Sequence, residues 1–179
     1  MLYYNTRYPA AIIMTLNDLP NQKHNHKQCV SNALAMAKQV CLDRGVQLTS
    51  IRYQVLELIW ESNKAVKAYE LLDRIKPLQM AAKPPTIYRA LEFLSEQGLI
   101  HRVESLNAFI GCRCSNAPHE QLLLICKNCQ EVEERTATKV MQALVEEFNE
   151  AGFIVHSKAI EIHGICSQCT ASVDTNLYD

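Results

Sequence analysis

Two Cys-x2-Cys hooks, Cys126/Cys129 and Cys166/Cys169, carry the clearest chemistry in this 179-residue chain. Four thiolates at that spacing supply what a closed tetrahedral zinc site needs. The first hook lies where the apolar run Leu122 to Ile125 turns back into Glu131-Val132-Glu133, and the second follows the alternating segment Ala159 to His163. A metal held by both would staple two strand ends together. A helix predicted between the hooks makes them one composite site, not two separate knuckles. Eight cysteines would also permit a disulfide framework, but Met1 to Leu16 carry one Arg, a short apolar stretch and no small-residue cleavage pattern. The expectation is therefore a cytoplasmic protein with reduced, metal-binding thiols and no membrane span.

Outward from the hooks, helical spacing of Val30, Ala33, Leu34, Ala37, Val40 and Cys41 predicts a first helix closed by Gly45. Thr49-Ser50 can cap a second, with stripe Ile51, Val55, Leu58 and Ile59, and Ala68, Leu71, Leu72 and Ile75 form a third before Pro77. Pro84-Pro85 opens a fourth, Ile87, Ala90, Leu91 and Leu94 form its stripe, and Gly98 closes it. Leu99 to Val103 and Ala108 to Cys112 read as two short strands. That order describes a winged helix-turn-helix. Beyond Glu104 the pattern becomes strands around the first hook, a helix with stripe Ala137, Val140, Met141, Leu144 and Phe148 ended by Gly152, and a strand from Phe153 to His163. The predicted class is α+β: a disordered tail over 1–23 in which Met14 is an alternative start, a winged-helix domain over 24–113 with a hinge near 104–119, and a small α/β domain over 114–179 carrying the four-cysteine zinc site. So small a sheet has open edges, and dimerisation would cover them.

The net charge of −1 hides an asymmetry: to Glu104 the chain has 13 basic against 9 acidic residues, and beyond it 5 against 10. A polyanion partner suits the first part only. On the fourth helix, Arg89, Glu92 and Glu96 face away from the apolar stripe, flanked by Thr86 and Tyr88, with Lys83 at the entry. A recognition helix places base-reading groups in its first turns, because that end enters the major groove. Arg89 suits a guanine edge, and Tyr88 a phosphate or thymine methyl. An ordinary solvated face is the competing reading of this helix alone; the preceding helices and following wing favour DNA.

The run Lys83-Pro-Pro-Thr-Ile-Tyr-Arg-Ala-Leu-Glu-Phe-Leu, followed by Gln97-Gly-Leu-Ile-His-Arg-Val-Glu-Ser105, closely resembles the ferric uptake regulator superfamily and, within it, the zinc uptake regulator branch. Leu48-Thr49, Ala68-Tyr-Glu-Leu-Leu-Asp73 and Glu161-Ile-His-Gly-Ile-Cys166 extend the resemblance, which runs from about Cys29 to Cys169. The stretch Pro118-His119-Glu120-Gln121 carries one His where iron-type members have a His-rich run, and so resembles the zinc branch. The resemblance implies a homodimeric repressor of zinc-import genes that binds palindromic double-stranded operator DNA when zinc is plentiful; the alternative is a regulator of the same superfamily that senses peroxide or another metal. Its DNA contacts would be Tyr69, Lys83, Thr86, Tyr88 and Arg89.

The resemblance also implies two zinc ions per subunit, one structural at the hooks and one regulatory at His101, Cys112, His119 and Glu134. A mixed set of nitrogen, sulfur and oxygen donors around a hinge binds zinc more weakly and more pH-dependently than four thiolates. Cys114 rivals Cys112, since residues two apart share a strand face, and Glu120 and Glu133 rival Glu134. Cys29 and Cys41 read as core or inert thiols, His24 and His26 as solvated, and His156 and His163 as structural, with His163 also a minor ligand candidate. Asp73 and Lys76 read as a solvated i,i+3 pair, with pairing between adjacent dimers as the alternative. A zinc hydrolase would need a pocket, a general base and an oxyanion donor, which the sequence does not offer. A thiol oxidoreductase would need a parallel βαβ pattern around a hook, and none is predicted.

Overall fold

The computed structural model describes residues 26–62, 64–80, 82–113, 121–136, 138–154 and 159–174. Helices α1 (His26–Asp43), α2 (Ser50–Glu61), α3 (Ala68–Ile75) and α4 (Pro84–Glu96) are followed by the hairpin β1 (Ile100–Val103) and β2 (Ala108–Gly111). A single 3-10 turn, Glu104–Leu106, links its two strands. Leu34, Ala37, Val40 and Cys41 of α1 pack with Val55, Leu56 and Ile59 of α2, Leu71 and Ile75 of α3, and Ile87, Leu91 and Leu94 of α4 in one core. Burial of these side chains supplies the main stabilisation of this half. The hairpin closes against them: Val66 and Phe109 exchange backbone hydrogen bonds of 2.8 and 2.9 Å.

Local punctuation behaves as the sequence reading expects at Gly98, with one change at Thr49. Gly98 takes φ +64°, and the Leu99 amide reaches back to the Leu94 carbonyl at 2.9 Å, closing α4 in a Schellman turn. Thr49 occupies the N-cap of α2 but its side chain makes no capping hydrogen bond. At α3 the Glu70 carboxylate accepts from the Lys67 amide at 2.8 Å, satisfying one of the orphan donors at that helix start.

The second half contains β3 (Gln121–Cys126), β4 (Val132–Arg135), α5 (Thr138–Glu150), β5 (Ala159–Gly164) and α6 (Ser167–Asp174). The sheet order is β4-β3-β5, with β3 antiparallel to β4 and parallel to β5. Of the strand expected from Phe153 to His163, Phe153 and Ile154 lie in no strand, 155–158 are outside the described residues, and β5 covers Ala159–Gly164. Gly152 at φ +65° ends α5, the Phe153 amide donates to the Phe148 carbonyl at 2.8 Å, and the two rings sit 6.3 Å apart, so Phe153 serves as the helix stop. On α5 Met141 is buried while Val140 is exposed. Val103 of the hairpin packs with Leu123 and Ile125 of the sheet, flanked by Ala65, Leu106, Ile110 and Val132, so this second core joins the two halves. Among the described residues no helix is long and apolar enough to cross a membrane.

Candidate metal centres and nucleic-acid interface

Among the described residues, two groups of ligating side chains converge: Cys126, Cys129, Cys166 and Cys169, and separately His101, Cys112 and Glu134, each group with its ligand atoms within 4.8 Å of one another. The first forms because β3 and β5 are parallel and end side by side. Cys126 closes β3, and a tight turn with Gln130 at φ 60° returns the chain, its amide donating to the Cys126 carbonyl at 2.9 Å. Cys166 follows β5, and Cys169 lies on α6, a helix that sequence reading did not foresee.

The donor set fits zinc. Tetrahedral bonds of about 2.3 Å place sulfurs about 3.8 Å apart, and Cys129 and Cys166 stand at 3.7 Å. That separation is far beyond a disulfide bond, and none of the described cysteines forms one. Amides of Cys129 and then Cys166 hold the Cys126 thiol down at about 6, whereas the Cys166 thiol, followed by burial, pushes Cys169 up to about 12. Four adjacent thiolates cannot all ionise together unless a cation offsets their charge. The expected absence of a parallel pattern around the hooks does not hold, since β3 and β5 are parallel neighbours joined through β4 and α5. What separates this cluster from a redox pair is instead the convergence of four sulfurs.

The second group spans both halves of the chain. His101 belongs to β1, Cys112 directly follows β2, and Glu134 belongs to β4. His101 Nε2 and Glu134 Oε1 are 2.8 Å apart with both side chains almost fully enclosed, and Glu134 Oε2 accepts from the Arg113 amide at 3.1 Å. Burial lowers the His101 pKa, but hydrogen bonds with Cys112 and Glu134 outweigh it and raise it to about 9. A nitrogen, a sulfur and an oxygen so arranged suit zinc. His119 lies outside the described residues, as do Cys114, the rival of Cys112, and Glu120, a rival of Glu134, and likewise His24, His156, Ala137 and Met14.

Glu133 points away from this group and pairs with Arg135 at 2.8 Å on the exposed face of β4. His163 is exposed on β5, in register with Ile125, and joins neither group. Cys41 is a core thiol, raised by burial, and Cys29 is half-buried on α1. His26 contacts the Glu61 carbonyl at 3.1 Å. Asp73 and Lys76 pair within the same helix end at 3.6 Å.

The candidate nucleic-acid face is built from α3 and α4. Pro84-Pro85 fixes the start of α4 just after the exposed Lys83, and the buried stripe turns Tyr88 and Arg89 outward. Thr86 is half-buried and lines a shallow pocket with Arg89, Thr49, Ile51 and Arg52. Arg52 stacks 3.5 Å over Phe93, fixing α2 against α4. Tyr69 of α3 is exposed, with the Lys67 ammonium 6.0 Å above its ring. Glu92 and Glu96 occupy the later turns of α4, confining any phosphate attraction to its start.

Sequence reading missed one residue of this architecture. The Glu161 carboxylate of β5 accepts from the amides of Glu104 at 2.6 Å and Ser105 at 3.1 Å, across the boundary between the halves. Its only signal in the sequence is an acid between Ile160 and Ile162.

A family model described as the ferric uptake regulator family matches residues 43–170. The zinc uptake regulation protein of Escherichia coli (strain K12) is 39% identical over 144 residues, covering 80% of this chain and 84% of that protein. A solved zinc uptake regulator complexed with zinc and DNA is similar at a TM-score of 0.77 and 38% identity, over 81% of this chain and 97% of the other. Holo XcZur is similar at 0.73 and 40% identity, over 78% and 98%. On the fold, the two ligand clusters and this degree of similarity together, the chain belongs to the ferric uptake regulator family, in its zinc uptake regulator branch.

Proposed function

We propose that this protein is a zinc-responsive transcriptional repressor, not an enzyme, which binds palindromic operator DNA as a homodimer in the cytoplasm and represses zinc-uptake genes. The observation that carries the reading is the convergence of His101 and Cys112 from the wing with Glu134 from the sheet. Its relatives support it, since one was solved with zinc and DNA. We assign residues 24–113 to DNA binding and 114–179 to dimerisation. Exposed Val140, Ile162 and Ile165 support a second copy covering the C-terminal half.

Two zinc ions per subunit fit the two donor sets. Cys126, Cys129, Cys166 and Cys169 tie β3, β5 and α6 into one unit, and His101, Cys112 and Glu134, with His119 as the fourth ligand, form the sensor. When bound there, zinc supplies a divalent charge that neutralises the thiolate and carboxylate brought together from two domains. His101 and Cys112 then fix the wing, and with it α4, relative to the sheet. In a dimer both α4 helices are thereby held at one separation, which suits half-sites about one helical turn of DNA apart or a multiple of it. The shift towards this arrangement cannot exceed the ligand's differential affinity for it. Arg89 reads a base edge, while Lys83, Thr86, Tyr88 and Tyr69 contact the backbone or neighbouring bases.

Selection from a random duplex library across a buffered free-zinc series tests the reading. It expects enrichment of a palindrome only at the higher zinc concentrations. Enrichment independent of zinc, or none, would overturn it.

A further inference from the structure

We propose that Glu161 is a positioning residue for zinc-controlled DNA binding: its carboxylate latches the wing turn to the sheet, making a second anchor opposite the Glu134 anchor. The proposal rests on the zinc-responsive reading above and adds to it a residue that belongs to neither ligand cluster.

The geometry comes from the sheet register. Leu123 of β3 is paired with Glu134 on one side and with Glu161 on the other, so the three residues form one cross-strand row. Side chains directly opposite one another project from the same face of a sheet. At about 4.8 Å between neighbouring strands, the two carboxylates stem from backbones about 10 Å apart. The hairpin offers its contact points at a matching interval, because His101 and Glu104 are separated by three residues of extended chain, again about 10 Å. Glu134 meets His101 and the Arg113 amide at the base of the hairpin, and Glu161 meets the Glu104 and Ser105 amides at its turn. Between them Val103 and Leu123, both fully buried, fill the centre of the contact.

One anchor alone would leave the hairpin able to swing about it. Two anchors on either side of a packed apolar contact fix its direction across the sheet, and with it the orientation of α4. The chemistry of the latch is also distinct. Burial opposes ionisation of Glu161, but the Ser105 hydroxyl and amide, the Glu104 amide and the charge of His163 more than offset it and hold the carboxyl below its ordinary range. It is thus a charged acceptor that grips main-chain donors and needs no metal. Because the latch favours the arrangement in which His101, Cys112 and Glu134 are already together, it raises the fraction of protein competent to take zinc at that cluster. Apparent affinity scales with that fraction.

The test uses full-length protein carrying Glu161→Ala or Glu161→Gln, the probe being buffered free zinc and the palindromic duplex selected by the zinc-loaded wild type. Glu161→Ala is expected to keep its hook zinc and its dimeric state, yet to need roughly tenfold more free zinc for half-maximal DNA binding. Glu161→Gln, which retains an acceptor oxygen without the charge, should fall between it and wild type. Hydrogen exchange of the peptide holding the Glu104 and Ser105 amides should quicken in the same order. An unchanged zinc midpoint in Glu161→Ala, with faster exchange or without it, overturns the proposal. Should Glu161→Ala fail to fold, the Glu161→Gln midpoint decides, and equality with wild type overturns it. If wild type itself shows no zinc dependence, the zinc-responsive reading fails and takes this proposal with it, whereas a zinc-dependent wild type with unchanged exchange in Glu161→Ala refutes the latch alone.

Discussion

Gly111 lets the wing lie flat against Trp60, and adding a single methyl group there should weaken stability and sensing together. A Cβ built at Gly111 meets Trp60 Nε1 at 2.6 Å and Cδ2 at 2.8 Å, and comes closer still to Cε2. The indole is a rigid ring packed against the helical core, so it cannot yield as the end of a flexible side chain would. Either β2 lifts or Trp60 turns out of its place. Overpacking of this kind costs about 1–3 kcal/mol, and Gly111→Ala should destabilise the winged-helix half by that amount. The same displacement carries Cys112, the next residue, away from His101 and Glu134, so zinc affinity at the sensor should fall as well. Trp60 is the only tryptophan in the chain, so its fluorescence during urea unfolding reads the first effect, and competition with a zinc chelator reads the second. A stability change within about 0.5 kcal/mol, the range of an ordinary surface substitution, would refute the packing argument.

Cys126→Ser should release the hook zinc and unfold or monomerise the C-terminal half, because metal binding there is part of folding free energy; zinc content and sedimentation measure this, and a stable dimer would contradict it. Arg89→Ala should cost about 1–3 kcal/mol at one base pair and relax specificity there, whereas Lys83→Ala should weaken all duplexes alike and flatten the salt dependence; binding to a set of singly mismatched duplexes distinguishes the two. In protein stripped of zinc, His101 is raised to about 9 from 6.5. Its pairing therefore contributes stability in full below the unfolded value and loses it as pH rises through the folded one, so the urea midpoint should fall between about pH 6 and about pH 10 and Glu134→Gln should reduce that fall.

Much of the fold was legible because its signals are local. Pro84-Pro85 and Gly98 bound α4, and each acts within a few residues through fixed φ or positive φ. The hooks were legible for the same reason, since Cys-x2-Cys is a spacing. Phe153-Ile154 misleads because an apolar run before a β-branched one looks like a strand, while the Phe153 ring packs back, tilted, against Phe148. Helix α6 gave no warning, its residues Ser167 to Asp174 having no apolar period. The parallel pairing of β3 with β5 joins segments far apart in sequence and leaves no local mark. His101, Cys112 and Glu134 are likewise unmarked by spacing, and the family resemblance was needed to group them. Glu161 carries no local mark either, because its partners are backbone amides that any residue supplies.

If the cluster of His101, Cys112 and Glu134 makes DNA binding depend on zinc, a titration of duplex binding with buffered free zinc, run on wild type and Cys112→Ser side by side with zinc content measured in both, will separate the two proteins. Wild type should gain affinity as zinc rises, while Cys112→Ser keeps its hook zinc and its weak binding but stays flat. A Cys112→Ser protein that follows the wild-type curve would contradict that dependence on the cluster.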